Sequence, residues 1–295
     1  MAASYSRRLA GRLKQTDQGR RAGRMTRQEA EIVLTSAGQA EDKDFPLLEA
    51  AIACAVHENP ERDSGDARAL GEEAVFRLRE RMQRESPEEA LAEAVAGDLR
   101  LSGDLLSYDH PDNADIIAVA ERRKGLPVAL GIYYIHAARM TGLALQGVDF
   151  PGHFLLRVET DEGPLALDPF SEGRVVLPSE LTRRALRTGL TPDIAGRLDR
   201  LMAPVSDRAV LMRLQNIIFA RASAVRDYGR AERAALRRAL LDPTDHRPWL
   251  DVAAAREGQG ALAGALQALN QAQILDGGAA IAARAARERV RLRLN

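Results

Sequence analysis

Between residues 127 and 167 the sequence changes its hydrophobic period, and that change constrains the fold more than any other feature. Pro127 suits a first helical position, and Val128, Ile132, Tyr133, Ile135 and Ala138 follow at helical spacing until Gly142 offers a stop. Three strand-like segments come next, at residues 143–150, 154–159 and 165–167. Asp161, Glu162, Gly163 and Pro164 form a turn between the last two, as in a hairpin. One buried helix followed by antiparallel strands predicts an α+β fold rather than a doubly wound parallel sheet.

Helical patterns flank this segment on both sides. Phe45-Pro46 opens a helix with Leu47, Leu48, Ala51, Ile52 and Val56 on one face, and Pro60 lies just beyond it. Residues 67–84 repeat the pattern through Leu70, Ala74, Val75, Leu78 and Met82. Ser86, Pro87 and Glu89 make a capping box for another helix. A further short helix is expected over residues 115–123. From Asp207 onward every segment is helical, with breaks at Asp242-Pro243 and between Arg256 and Gly260.

Charge is balanced overall but unevenly laid out. Residues 1–27 hold eight Arg or Lys and one Asp, whereas residues 29–112 hold 21 acids and eight bases. Residues 1–26 read as a disordered basic arm, and Met25 is an alternative start. No stretch reaches the roughly 18 uninterrupted apolar residues of a membrane span, and no apolar segment follows the basic N-terminus as in a secretory signal. The single cysteine, Cys54, excludes an internal disulfide framework and fits a reducing compartment, so a cytoplasmic protein is expected. The five histidines show no metal-ligand spacing, so neither metal nor cofactor is expected. The Arg-rich last segment lacks stacking aromatics, and zero net charge argues against a nucleic-acid reader.

Three short motifs stand in order: Arg122-Arg123-Lys124-Gly125-Leu126-Pro127, then Phe150-Pro151-Gly152-His153-Phe154, then Asp168-Pro169-Phe170. Together they resemble the bacterial SirB-type family, in which a transglutaminase-like core precedes tetratricopeptide-like helices. The resemblance covers roughly residues 30–240 well. It implies a helix-rich transglutaminase/papain-like core with a small antiparallel sheet over residues 27–203. An all-α tetratricopeptide-like tail would follow over residues 204–295. In residues 246–278, Trp249, Ala253, Ala265, Leu269, Ala272 and Leu275 fall on that repeat's packing positions. Arg256 and Gly277 occupy its usual tyrosine and proline places. Two such units cannot bury a core alone, so the tail is expected to dock on the preceding domain.

The wider group works by Cys-His-Asp chemistry: a thiolate attacks an acyl carbon, an imidazole moves its proton and a carboxylate orients the imidazole. The resemblance puts His153 on the histidine position and Asp168 on the aspartate position. It puts the nucleophile near Leu126 to Val128, where no Cys, Ser or Thr stands. Cys54, beside Ile52, Ala53 and Ala55, reads as a small buried hydrophobe. His153 and Asp168 are then either a remnant that binds a ligand and pins a loop, or a working acid–base dyad. Arg122, Arg123, Gly125, Pro127, Phe150 and Gly152 are the candidate binding residues around them, with Arg122 and Arg123 suited to an anion.

The expected function is a non-catalytic interaction or regulatory protein that binds a peptide or protein partner. The alternative is an amide or peptide hydrolase, or transamidase, using His153 and Asp168 with an unconventional nucleophile. The empty nucleophile position argues against an enzyme.

Overall fold

The computed structural model describes residues 25–275 and 280–292, so residues 1–24 of the expected arm lie outside it. Helix α1 (Arg27–Gln39) starts at Thr26, whose hydroxyl and the Glu29 carboxylate cap each other's backbone N–H. Helices α2 (Leu47–Glu58), α3 (Gly65–Arg81) and α4 (Pro87–Ala92) follow, the last opened by the Ser86–Glu89 capping box legible in the sequence. Asp115 caps α5 (Ile116–Arg122) by accepting the N–H groups of Ile117 and Ala118. Helix α6 (Pro127–Thr141) is apolar almost all round and ends at Gly142, left-handed at φ 82°. An all-round apolar helix belongs inside, and residues 127–135 of α6 are buried throughout.

Five antiparallel strands form the main sheet in the order β6-β5-β4-β3-β7. They are β3 (Leu145–Val148), β4 (Leu155–Thr160), β5 (Gly163–Asp168), β6 (Arg174–Val176) and β7 (Pro204–Val205). Two-residue strands β1 (Ser102–Gly103) and β2 (Lys124–Gly125) pair in parallel as a separate sheet. The hairpin joining β4 to β5 turns tightly, Thr160 pairing with Gly163 at φ +113°. Alternation then divides the sheet's two faces. Leu145, Leu156, Val158 and Leu167 join the large core built on α6 and α2. Leu155, Val148, Ala166 and Val176 pack instead with Leu181 and Ala185 of α7 (Pro178–Arg187), beside α8 (Pro192–Ala195) and α9 (Leu198–Leu201).

The chain returns to helix in α10 (Asp207–Ala224), α11 (Tyr228–Leu241), α12 (Arg247–Gly258), α13 (Leu262–Leu275) and α14 (Ala280–Leu292). The first of these is embedded in the core: Val210, Leu211, Leu214 and Ile218 belong to the same cluster as α2 and α6. The sheet also crosses residue 203, because Pro204 and Val205 pair with Val148 and Gly147. Arg208 of α10 donates to the carbonyls of Ala37, Gly38, Ala40 and Leu241, closing the C-terminal ends of α1 and α11 together. Gly38 makes this approach possible: a Cβ there would stand 2.0 Å from the Leu240 carbonyl oxygen. Farther out, Ala253, Ala265, Leu269 and Ala272 are buried between successive helices, whereas Leu275 is exposed.

Candidate functional site

Asp168 ends β5 and caps the turn Pro169–Ser171. Its Oδ1 accepts the backbone N–H groups of Phe170 at 3.1 Å and Ser171 at 3.4 Å. The Ser171 hydroxyl donates to Oδ2 at 3.2 Å. Glu172 and Gly173 then take left-handed φ values of 58° and 74°, and β6 returns beside β5 with Arg174 opposite Asp168. Pro169 suits this turn because its missing N–H is one that the turn would leave unbonded.

His153 enters from the other side. Gly152, at φ +73°, turns the chain, and the His153 N–H bonds the Phe150 carbonyl at 2.9 Å. The imidazole Nε2 then lies 3.0 Å from Asp168 Oδ1. The expected pair is therefore in hydrogen-bond contact, and Nδ1 is the ring nitrogen not engaged with the carboxylate. The imidazole keeps 22% of its surface exposed while Asp168 keeps 2%. Phe154, the next residue, lays its ring against Gly131 of α6, which leaves no space for a Cβ there.

Arg184 of α7 is the partner that sequence reasoning missed. Its Nη1 donates to Asp168 Oδ2 at 2.9 Å and its Nη2 to Glu180 Oε1 at 2.9 Å, and Glu180 also accepts from Arg174. The Glu180–Arg184 spacing of four is visible in the sequence, but reads there as an ordinary exposed helix pair. Burial pushes the Asp168 carboxyl up, yet the bonds and charges of His153 and Arg184 outweigh it and hold the group down at about 2.

The remaining expected site residues scatter. Arg122 is fixed by Asp104 Oδ2 and Asn113 Oδ1, both at 2.9 Å, and so is a structural tie rather than an open anion receptor. Arg123 is the left-handed C-cap of α5, at φ 58°. Gly125 is buried against Val119, where a Cβ would come within 2.9 Å, and Pro127 is the buried first residue of α6. Phe150 is fully buried in the cluster beneath α7. Of the six, Gly152 alone adjoins the His153–Asp168 pair in sequence and turns the chain into it.

The start of α6 offers no nucleophile: Leu126, Pro127 and Val128 are buried and carry no reactive atom. Nearby, Ser102 Oγ accepts a hydrogen bond from the exposed Lys124 Nζ at 2.6 Å. Cys54 sits in α2, buried, its thiol pushed up to about 12 by desolvation and only partly offset by Arg237. Among the described residues no group of three His, Cys, Asp or Glu side chains could hold a metal ion. No described helix is long and apolar enough to cross a membrane.

A family model described as the transglutaminase-like superfamily matches residues 66–216, a span holding α6, the His153–Asp168 pair and half of α10. The chain belongs to that superfamily. A UPF0162 protein of Xylella fastidiosa (strain Temecula1) is 33% identical over 238 residues, covering 78% of this chain and 84% of the relative. A UPF0162 protein of Vibrio cholerae is 34% identical over 46% of this chain and 53% of its own. Human F-box only protein 21 is 37% identical over 59 residues, 20% of this chain and 9% of that protein. A menin structure aligns with 86% of this chain and 71% of its own at 10% identity and a TM-score of 0.41.

This transglutaminase-like chain thus sets the His153 imidazole against the buried Asp168 carboxylate, and Leu126, Pro127 and Val128 stand at the start of α6.

Proposed function

We propose that this chain is a non-catalytic transglutaminase-like protein that binds a peptide or protein partner over the face carrying His153. The observation that carries the reading is the start of α6, where Leu126, Pro127 and Val128 stand in place of an attacking group. A carboxylate with five hydrogen-bond donors supports it, because so fixed an Asp168 holds the imidazole as a recognition element.

The surface beside the pair has the character of a contact site. Tyr108 meets the Phe170 ring edge to face at 5.6 Å between centroids. The loop leading to it leaves Leu105 and Leu106 81% and 98% exposed. That loop is held rigidly: Asp104 accepts from the Ser107 N–H, and buried Asn113 donates to the carbonyls of Ser107 and Tyr108. Adjacent exposed leucines on a fixed loop are costly in water and useful against an apolar partner. Arg122 contributes by pinning that loop.

On this reading residues 27–203 form the binding body of a SirB-type protein. Strand β7 and helix α10 belong to that body, and the helices from α11 onward are a degenerate tetratricopeptide-like tail that docks on it and adds a second surface. The compartment consistent with a lone buried thiol is the cytoplasm.

The test joins chemistry and binding. Purified protein is assayed for amide hydrolysis and for incorporation of a fluorescent primary amine into a glutamine peptide. It is then screened for binding on an array of peptides that pair leucines with a carboxylate or amide. The expected result is no turnover above buffer, with peptide binding weakened about tenfold or more by His153→Ala or Leu106→Ser, the worth of roughly 1.4 kcal/mol. Turnover abolished by His153→Ala would instead establish the hydrolase alternative, with a nucleophile from outside α6.

A further inference from the structure

Helix α10 borders the face that carries His153, and its side chains reach both loops that form it. Arg213 stands over the Phe154 ring at 5.8 Å and pairs with Asp149, in the loop leading to His153. About two turns on, Arg221 reaches the loop that holds Leu105 and Leu106. Its Nη2 donates to Asp109 Oδ1 at 2.8 Å, and its Nη1 lies 3.5 Å from the Tyr108 carbonyl oxygen. The same guanidinium lies over the Tyr108 ring, 5.4 Å from the centroid. Tyr108 in turn meets Phe170 edge to face, in the turn that Asp168 caps. A chain of contacts therefore runs from α10 through Tyr108 to the turn at Asp168.

These contacts fix what the loop's own bonds do not. Asp104 and Asn113 bind backbone atoms of Ser107 and Tyr108, whereas the Tyr108 side chain projects from a residue that is 46% exposed. A ring half in water samples several rotamers unless side-chain partners select one. Arg221 and Phe170 supply that selection. The backbone of Arg221 is itself held, because the adjacent Ala222 is buried with Ala231 of α11 and Ala255 of α12. Its planar guanidinium can stack on a ring and bond a carboxylate at once. The Asp109 carboxylate is 88% exposed, so the ion pair alone contributes little and the stacked ring carries the orientation.

We propose, on the peptide-binding reading of the His153 face, that Arg221 is a positioning residue for that site. It holds the Tyr108 ring against Phe170 and so fixes the aromatic wall beside Leu105 and Leu106. Arg221 acts through Tyr108 rather than by touching the peptide. The shape of the site is then set in part by the last turn of α10, on whose other side the tail packs.

Two measurements on the full chain test this. In the first, 3-fluorotyrosine replaces all five tyrosines, and the Tyr108 fluorine line is identified by its loss in Tyr108→Phe. Arg221→Ala should move that line towards the position of free fluorotyrosine and sharpen it. The lines of the buried Tyr133 and Tyr134 should stay in place. The second is a double-mutant cycle on binding of an array peptide that pairs two leucines with a carboxylate. Arg221→Ala should weaken binding about fivefold, and should have no further effect in the Tyr108→Ala chain. Unchanged binding, or equal weakening in both backgrounds, overturns the proposal, since Arg221 would then not act through Tyr108. So does a Tyr108 line that Arg221→Ala leaves unmoved. A wild type that binds no such peptide removes the peptide-binding reading instead, and the fluorine line alone then decides for or against the hold of Arg221 on Tyr108.

Discussion

Two buried aspartates stand at opposite ends of this structure's electrostatics. Asp168 and Asp207 are 2% and 6% exposed, and burial pushes both carboxyls up. At Asp168 two cationic or donor side chains, a hydroxyl and two backbone N–H groups reverse the effect, to about 2. At Asp207 the Arg139 guanidinium opposes burial and Asp42 adds to it, leaving the group at about 6. Arg139 is itself 42% exposed and shares its charge with water, which screens the pair. Burial alone therefore says nothing about a carboxylate's state; the number of donors fixed around it decides.

The largest expected effect comes from removing the better-held carboxylate. Asp168→Ala leaves the part-buried Arg184 with Glu180 alone and removes the cap of the Pro169–Ser171 turn. The lost cap and the lost hydrogen bonds to a buried carboxylate together cost about 3–4 kcal/mol, read as a fall in the urea midpoint at pH 7. A loss below about 1 kcal/mol would show that Asp168 is no more than a surface ion pair.

Next comes Asp207, with the opposite pH sign. Its folded value lies above its ordinary 3.8, so the folded state binds the proton more tightly. Its contribution to stability is full below about 4 and is lost as pH rises through about 6, by at most about 3 kcal/mol. Asp207→Asn should flatten the stability profile between pH 4 and 7. An unchanged slope in that variant would mean that Arg139 compensates the charge after all.

Asp168 should give a slightly smaller change at lower pH. Its folded value is depressed, so its contribution is full above about 4 and is lost as pH falls towards 2, by about 2.5 kcal/mol. Asp168→Asn, already less stable, should lack this acid limb. The two profiles together test whether donor count, rather than depth, separates the pair.

Local rules made much of this fold legible. Pro127 and Gly142 bound α6, Ser86 and Glu89 cap α4, and the Asp161-Glu162 turn sets the β4–β5 register. The His153–Asp168 contact was legible for the same reason: fifteen residues and one hairpin separate them. What stayed hidden depends on partners remote in sequence. Strand β7 is two residues long and finds β3 across 56 positions, beyond the reach of periodicity. Arg122 invites an anion in the sequence, but Asp104 and Asn113, 18 and nine residues earlier, take it first. Arg208 carries no local signal of the four carbonyls it gathers from α1 and α11.

Cys54 sharpens the comparison at its small end, as an acidic group with burial and almost no donors. Desolvation dominates, Arg237 offsets it only in part, and the thiol stands at about 12. At pH 7.5 the thiolate fraction is then on the order of one in 30,000, against about one in ten for an exposed cysteine of ordinary acidity. Iodoacetamide should label the native chain at least about a thousandfold more slowly than the urea-unfolded chain, before steric exclusion is counted. Cys54→Ala removes one buried sulfur from a face already lined by Ala51 and Ala55, so its stability cost should stay near about 1 kcal/mol. Peptide binding should not change, because α2 contributes nothing to the surface at His153. Rapid labelling, accompanied by loss of an amidase or transamidase activity in Cys54→Ala, would show that α2 opens to present a nucleophile. It would also show that the buried thiol, like Asp168, is stabilised in its charged form by partners that this packing does not display.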